Sequence, residues 1–313
     1  MRALCLVWSL VACGTQDSKS GDDTGSSNQM TGGVALPTAT SSGSCPDMST
    51  SHTTSFQSSG EERTVTIVVP EDAAPDMPLV YFFHGLLDPG STPEPSDYMA
   101  SALGLQRLAD DAGVAFILPQ SGLLERMGFS FFMWNVEDAE SNDMVLFDDL
   151  RSCAYDELAI DLTRVHAMGM SGGALFTTVV AKERGEVLAS IVEMSGGSDI
   201  DMVTFDGPLS SYESSDNKMP ALLISGGSND LWPGGGLTLL DFSAATNTLE
   251  AKMVADGHFV VRCEHNQGHS VPYAAIDAAW DWVDSHQYGV PSPIEATGIA
   301  NVDSLSDWCV VAN

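Results

Sequence analysis

Short apolar runs recur along the middle of the chain, separated by longer stretches of mixed character. Leu79-Val80-Tyr81-Phe82-Phe83, Val114-Ala115-Phe116-Ile117-Leu118, Leu188-Ala189-Ser190-Ile191-Val192, Ala221-Leu222-Leu223-Ile224-Ser225 and Phe259-Val260-Val261-Arg262-Cys263 are largely continuous rather than alternating. Continuous runs of that length mark strands covered on both faces, the environment of a parallel sheet. Arg164-Val165-His166-Ala167-Met168 is a further strand of the set, and the alternation in Thr64-Val65-Thr66-Ile67-Val68-Val69 predicts an early edge strand. Between the strands, helical patterns are predicted over Tyr98 to Asp111, from an N-capping Ser141 towards Leu158, over Ala174 to Lys182, near Thr238 to Val254, and from Pro272 to Ser285. Strands alternating with helices imply an α/β domain, a mostly parallel sheet with helices on both faces.

The two ends break this rhythm. Met1-Arg2 and the apolar run Ala3 to Ala12 have the form of an export signal, too short to span a bilayer as a mature helix. Leu10-Val11-Ala12-Cys13 resembles a bacterial lipobox, which would make Cys13 the lipidated first residue of an envelope-anchored, otherwise secreted, protein. Gly14 to Ser44 is almost entirely small and polar and reads as a flexible tether. The expected organisation is a signal over 1–12, a lipidated tether over 13–60, a catalytic domain over 61–287 and a C-terminal tail over 288–313. Without Cys5 and Cys13, four cysteines remain: Cys45, Cys153, Cys263 and Cys309. In an exported chain they allow two disulfides in any of three connectivities, or buried thiols, Cys153 above all. Cys45 and Cys309 lie just outside the expected core, where a cross-link would restrain loose ends.

Forty-three acidic against 12 basic side chains give a net charge of −31. Such a field repels nucleic acid, and no basic patch offsets it, so nucleic-acid partners are excluded.

The most specific chemical signal is Gly169-Met170-Ser171-Gly172-Gly173, a G-x-S-x-G pentapeptide standing between a strand and a helix. In that setting the serine occupies a sharp turn that flanking glycines permit, with its hydroxyl projecting above the sheet and the helix's first amides facing any oxyanion. The chain carries its own control. Glu193-Met194-Ser195-Gly196-Gly197 repeats M-S-G-G, but Glu193 stands two before the serine and Asp199 and Asp201 follow where a helix should begin, so Ser195 reads as a loop residue.

A nucleophilic serine needs a base and a group to orient it, arriving in the order serine, acid, histidine on loops leaving the carboxyl ends of strands. Of the seven histidines, His52 falls in the tether, His166 within a strand, His258 at the start of one and His286 at a helix end; His84 belongs to the early Phe83-His84-Gly85 segment. His269 is preferred to its neighbour His265, because Asn266-Gln267-Gly268 carries the backbone clear of the strand. Asp230, directly beyond Ala221 to Ser225, is the preferred acid, with Asp199 and Asp201 as rivals. The amides of Leu86 and Gly172 are the expected oxyanion donors. His84, Trp134 and Trp232 are assigned to the substrate side, His84 as a structural group rather than a proton carrier. Phe129, Phe131, Phe132, Met133 and Trp134 form an aromatic loop, either pocket wall or core packing. No metal or organic cofactor is required.

These segments together resemble secreted α/β-hydrolases of the polyhydroxybutyrate-depolymerase and feruloyl-esterase type. The matching stretches are Leu79 to Gly85, Asp148-Asp149-Leu150, Ile160 to Val165 before the elbow, Gly226 to Asp230, and Gly268-His269-Ser270-Val271-Pro272. The resemblance implies the α/β-hydrolase fold and an acyl-enzyme serine esterase acting on hydroxyalkanoate oligomers or on phenolic or acetyl esters. A peptidase, an acyltransferase or a surface-anchored binding protein would be other uses of the same scaffold.

Overall fold

A computed structural model describes residues 30–126, 129–137, 140–201, 208–234 and 237–313. The expected signal and Cys13 lie outside these residues. The principal sheet has nine strands among the described residues: β1 His52–Ser58, β2 Glu61–Val68, β3 Leu79–Phe83, β4 Ala115–Pro119, β5 Val165–Met170, β6 Ser190–Met194, β7 Ala221–Ser225, β8 Val260–Glu264 and β9 Cys309–Val311. Their order is β9-β8-β7-β6-β5-β3-β4-β2-β1. From β4 to β8 all neighbours run parallel, while β2 joins β4, β1 joins β2, and β9 joins β8 antiparallel.

Because side chains alternate across a strand, each continuous apolar run feeds two cores. Leu79, Tyr81 and Phe83 pack with α3 (Asn142–Leu158) and α4 (Gly172–Arg184), whereas Val80 and Phe82 pack with α2 (Leu105–Ala112) and α6 (Tyr273–Ser285) on the opposite face. The remaining helices are α1 (Pro95–Ala102), α5 (Phe242–Ala255) and the short α7 (Pro293–Thr297).

Several boundaries differ from the sequence reading, each for a local reason. The single helix expected over Tyr98 to Asp111 is two, because Gly104 takes a left-handed φ of 63° between them. α5 begins four residues later than expected, because the Asp241 side chain caps the Ala244 amide and Leu237–Asp241 pairs instead with Leu231–Gly234. Phe129–Phe132 is not a loop but pairs with Leu123–Arg126 as a hairpin.

The expected domain limits at 61 and 287 are too narrow. β1 supplies the sheet edge that β2 was expected to form, pairing with it along its whole length. Val34 and Met48 are fully buried, and Asp149 accepts from the Ser41 amide and hydroxyl and the Ser58 hydroxyl, fastening this segment to α3. At the other end β9 extends the sheet past β8. The disulfides are Cys45–Cys153 and Cys263–Cys309. Each outlying cysteine is therefore tied to a core element rather than to the other terminus.

Candidate active site

β5 ends at the elbow. Ser171 stands at φ 54°, ψ −122°, a region that costs a non-glycine residue energy unless its surroundings hold it there. Its amide donates to the Met194 carbonyl at 2.9 Å, locking the turn to the neighbouring strand. The flanking glycines are sterically required: a Cβ on Gly169 would strike the Gly173 carbonyl, and one on Gly173 would strike the Phe83 carbonyl.

Three residues far apart in the chain converge here. Nε2 of His269 lies 2.9 Å from Ser171 Oγ, and Nδ1 of the same ring lies 2.8 Å from Asp230 Oδ1. Asp230 is fully buried, and its other oxygen, Oδ2, accepts from the Gly226 amide at 2.7 Å and the Ser195 hydroxyl at 2.8 Å. Burial pushes the Asp230 pKa up, but the hydrogen bonds from His269, Gly226 and Ser195 outweigh that effect and hold the carboxyl below its ordinary value. With an ionised acid on one nitrogen, the imidazole carries its proton on Nδ1 and presents a lone pair at Nε2 to the serine. The ring also stacks on Phe242, centroids 4.5 Å apart and planes 14° from parallel, which limits its rotation.

The loop after β3 forms the facing wall. His84 is buried, and its Nε2 accepts from the Ser121 amide at 3.1 Å, so Nδ1 bears the proton and donates to the Gly85 carbonyl at 2.7 Å. Burial holds its pKa down at about 4, keeping the ring neutral. Trp134 Nε1 donates to the His84 carbonyl at 2.8 Å while its ring stacks on Phe176. A pair of backbone bonds between Leu87 and Phe132 then pins the loop to the aromatic hairpin. The result sets Leu86 N 3.3 Å from the point where a Cβ on Gly172 would stand, so the Leu86 and Gly172 segments abut beside Ser171. At the first turn of α4 the Gly172 amide has no intrahelical acceptor and is available to an anion.

A cavity of about 500 Å³ opens over Ser171 and His269, walled by Leu87, Tyr98, Met99, Trp232, Val271 and Tyr273 among others. No aspartate, glutamate, lysine or arginine lines it among the described residues. Of the three residues assigned to the substrate side, only Trp232 is there. His84 and Trp134, 1% and 2% exposed, are corrections: neither lines this cavity, and both brace the Leu86 loop from beneath.

The rejected candidates fall elsewhere. Asp199 pairs with Lys252, and Asp201 is exposed on a two-residue strand. His265 accepts from the Gln267 amide. Ser195, read as a loop residue, proves to be a hydrogen-bond donor to Asp230. The repeated M-S-G-G was the signal at this position, and read as a control for the elbow it marked Ser195 as a loop residue without indicating a partner for the acid. Among the described residues no cluster of histidine, cysteine or carboxylate side chains is arranged to hold a metal.

No family model matches the chain. A bifunctional acetylxylan esterase/xylanase of Neocallimastix patriciarum is 26% identical over 140 residues, which is 44% of this chain and 18% of that protein. The match thus spans less than a fifth of the curated relative's length. Among solved structures, native pOPH aligns at a TM-score of 0.62 with 15% identity, covering 86% of this chain and 97% of that one. Native sOPH aligns at 0.61 with 17% identity over 86% and 96%. A ferulic acid esterase aligns at 0.54 with 12% identity over 74% and 96%. The sheet order, the elbow between strand and helix and these alignments together establish that the chain has the α/β-hydrolase fold.

Proposed function

We propose that the protein is a carboxylic ester hydrolase that works through a serine acyl-enzyme. The observation that carries this reading is the continuous Ser171–His269–Asp230 hydrogen-bond chain opening onto the cavity. As Ser171 Oγ attacks the ester carbonyl, His269 Nε2 takes its proton and Asp230 stabilises the imidazolium. The Leu86 and Gly172 amides receive the oxyanion. His269 then returns the proton to the leaving alcohol as the carbon–oxygen bond breaks. In the second step His269 deprotonates a water that attacks the acyl carbonyl, and the proton passes back to Ser171 as the acid departs.

An uncharged cavity with aromatic walls suits neutral ester groups better than anionic ones. Likeness to an acetylxylan esterase and a ferulic acid esterase supports acetyl or phenolic esters; hydroxyalkanoate oligomers fit the same walls. The two disulfides support export, and anchoring through lipidated Cys13 is part of the proposal. Short-chain nitrophenyl esters should be hydrolysed by the wild type and not by Ser171→Ala. Retention of turnover in that variant would rule the mechanism out. Methyl ferulate, a tributyrate and a hydroxybutyrate oligomer, compared side by side, would identify the substrate class.

A further inference from the structure

Glu193 is 1% exposed, on the sheet face that α4 covers, and among the described residues no cation pairs with it. Its Oε2 accepts from the Gly197 amide at 2.8 Å, and its Oε1 lies 2.6 Å from Thr178 Oγ1. Thr178 Oγ1 is also 3.0 Å from the Gly197 carbonyl. A hydroxyl has one proton and cannot donate to both oxygens. The two contacts coexist when Glu193 itself carries a proton on Oε1 and donates to Thr178, whose hydroxyl then donates to Gly197. An ionised Glu193 would claim the threonine proton and leave the Gly197 carbonyl without it.

The loop fastened this way is the one that holds the acid. Ser195 sits at φ 54°, its amide donates to the Ile224 carbonyl at 2.8 Å, and its hydroxyl donates to Asp230 Oδ2. Gly196 and Gly197 are wedged between helices: a Cβ on Gly196 would meet the Ala174 Cβ of α4, and one on Gly197 would meet the Ala245 backbone of α5. We propose that Glu193, as a neutral acid, and Ser195 form a positioning device that locks the 195–197 loop to α4 and through it fixes the outer oxygen of Asp230. The proposal rests on the serine-hydrolase reading for its effect on turnover, and on the hydrogen-bond count alone for the protonation of Glu193.

Among the described residues, the charged groups on the elements around the site have other partners or lie on the far face. Lys182, Glu183 and Arg184 belong to the last turn of α4, where Lys182 pairs with Glu183 and Glu213 and Arg184 with Asp148. On α5, Lys252 pairs with Asp199 and Glu250 with Arg262, while Asp241 caps the helix. The adjacent strands present Gly169 and Leu223 in register with Glu193, neither of which titrates, and α6 with its aspartates covers the other face. Asp230, and His269 beyond it, connect to this loop through the Ser195 hydroxyl. Burial, opposed by the contacts with Thr178 and the Gly197 amide, pushes the Glu193 pKa up to about 8.

Glu193→Gln tests the device, because the amide reproduces the neutral acid's donor and acceptor and cannot ionise. The unfolded chain ionises Glu193 near its ordinary pKa of 4.5, so the native state loses this stabilisation as pH rises from there through about 8. The Tm of the variant minus that of the wild type should therefore grow by at least about 5 °C between pH 5 and 9. A constant difference would overturn the proposal. In the wild type alone, the infrared carbonyl stretch of a protonated carboxyl should be present at pH 6 and vanish with a midpoint near 8; its absence at pH 6 would overturn the proposal even if the variant failed to fold. Ser195→Ala should lower kcat about 10-fold with KM nearly unchanged, the expected loss of one hydrogen bond to a charged group, and shift the acid limb of the kcat/KM profile. Unchanged kcat and limb would reject the positioning role. The Tm and infrared readouts need no turnover, so an inactive wild type would sink the hydrolase reading without touching them.

Discussion

Asp230→Asn isolates what the buried acid does, because the substitution keeps the shape and changes only which atoms donate. Oδ2 faces the Gly226 amide at 2.7 Å and the Ser195 hydroxyl at 2.8 Å. An amide nitrogen placed there would meet a backbone N–H head-on, a donor against a donor that cannot turn away. The substituted side chain would therefore keep its carbonyl towards Gly226 and aim its NH2 at His269 Nδ1. That nitrogen must then accept, so the ring's proton moves to Nε2, the atom that should take the proton from Ser171 2.9 Å away. The protein would remain folded with its base in the wrong tautomer. The expected loss in kcat is about 10⁴-fold, or roughly 5 kcal/mol of transition-state stabilisation. Stopped assays with a nitrophenyl ester at pH 7 to 8 would measure it, with circular dichroism as the check on folding and Asp199→Asn, whose contacts are with Lys252, Ser198 and Ser211 rather than with His269, as the control. Retention of activity within about tenfold of wild type, in a folded Asp230→Asn protein, would refute the tautomer argument.

Three further outcomes follow from packing and charge. Phe242→Ala removes the ring stacked on His269 and should lower kcat several-fold while costing about 3 kcal/mol or more of stability; a kcat equal to wild type would show that the stack does not orient the base. Burial depresses His84 and His286 to about 4 and His166 to about 3. Their stabilisation is complete above the unfolded value of 6.5 and lost as pH falls towards those values, a few kcal/mol each in order of magnitude. Tm should fall steeply between pH 6.5 and 4, and a flat profile there would contradict the neutral-histidine assignment. Replacing both Cys45 and Cys153 by serine opens a cross-link spanning 108 residues and should lower Tm by roughly 10 °C, read by calorimetry; no change would mean that Asp149 and the β1–β2 pairing hold the segment unaided.

The parts of this protein that were legible in its sequence are those where one local rule dominates. The parallel strands are legible because burial on both faces leaves few polar positions, Glu193 and His166 among them, and the convergence of Ser171, Asp230 and His269 because chain order and strand ends constrain them jointly. What escaped were features whose meaning depends on a neighbour distant in sequence. His52–Ser58 is polar at every position but Phe56 and follows a tether-like stretch, yet it pairs with Glu61–Val68 at the sheet edge. Trp134 looks like any aromatic beside a site, and only its indole bond to the His84 carbonyl places it under the loop instead of in the pocket. Cysteine spacing holds no record of which thiols meet, since Cys45 finds a helix 108 residues away.

The repeated M-S-G-G shows why a motif acquires its chemistry from its cover and not from its letters. β5 and β6 are parallel neighbours with Gly169 opposite Glu193 and Met170 opposite Met194, so Ser171 and Ser195 leave the sheet side by side. Both adopt φ 54°, and each amide donates to the last turn of the next strand, to Met194 for Ser171 and to Ile224 for Ser195. The backbone solution is the same twice. After Ser171 a helix begins at once and a cavity lies above, so its hydroxyl borders that cavity and His269 Nε2. After Ser195 the chain turns between α4 and α5, and the hydroxyl, 1% exposed at residue level, has Asp230 as its acceptor. One strained turn thus presents the proposed nucleophile, and its neighbour one strand away secures the proposed acid. Exchanging their roles would require moving the cavity, not the serine.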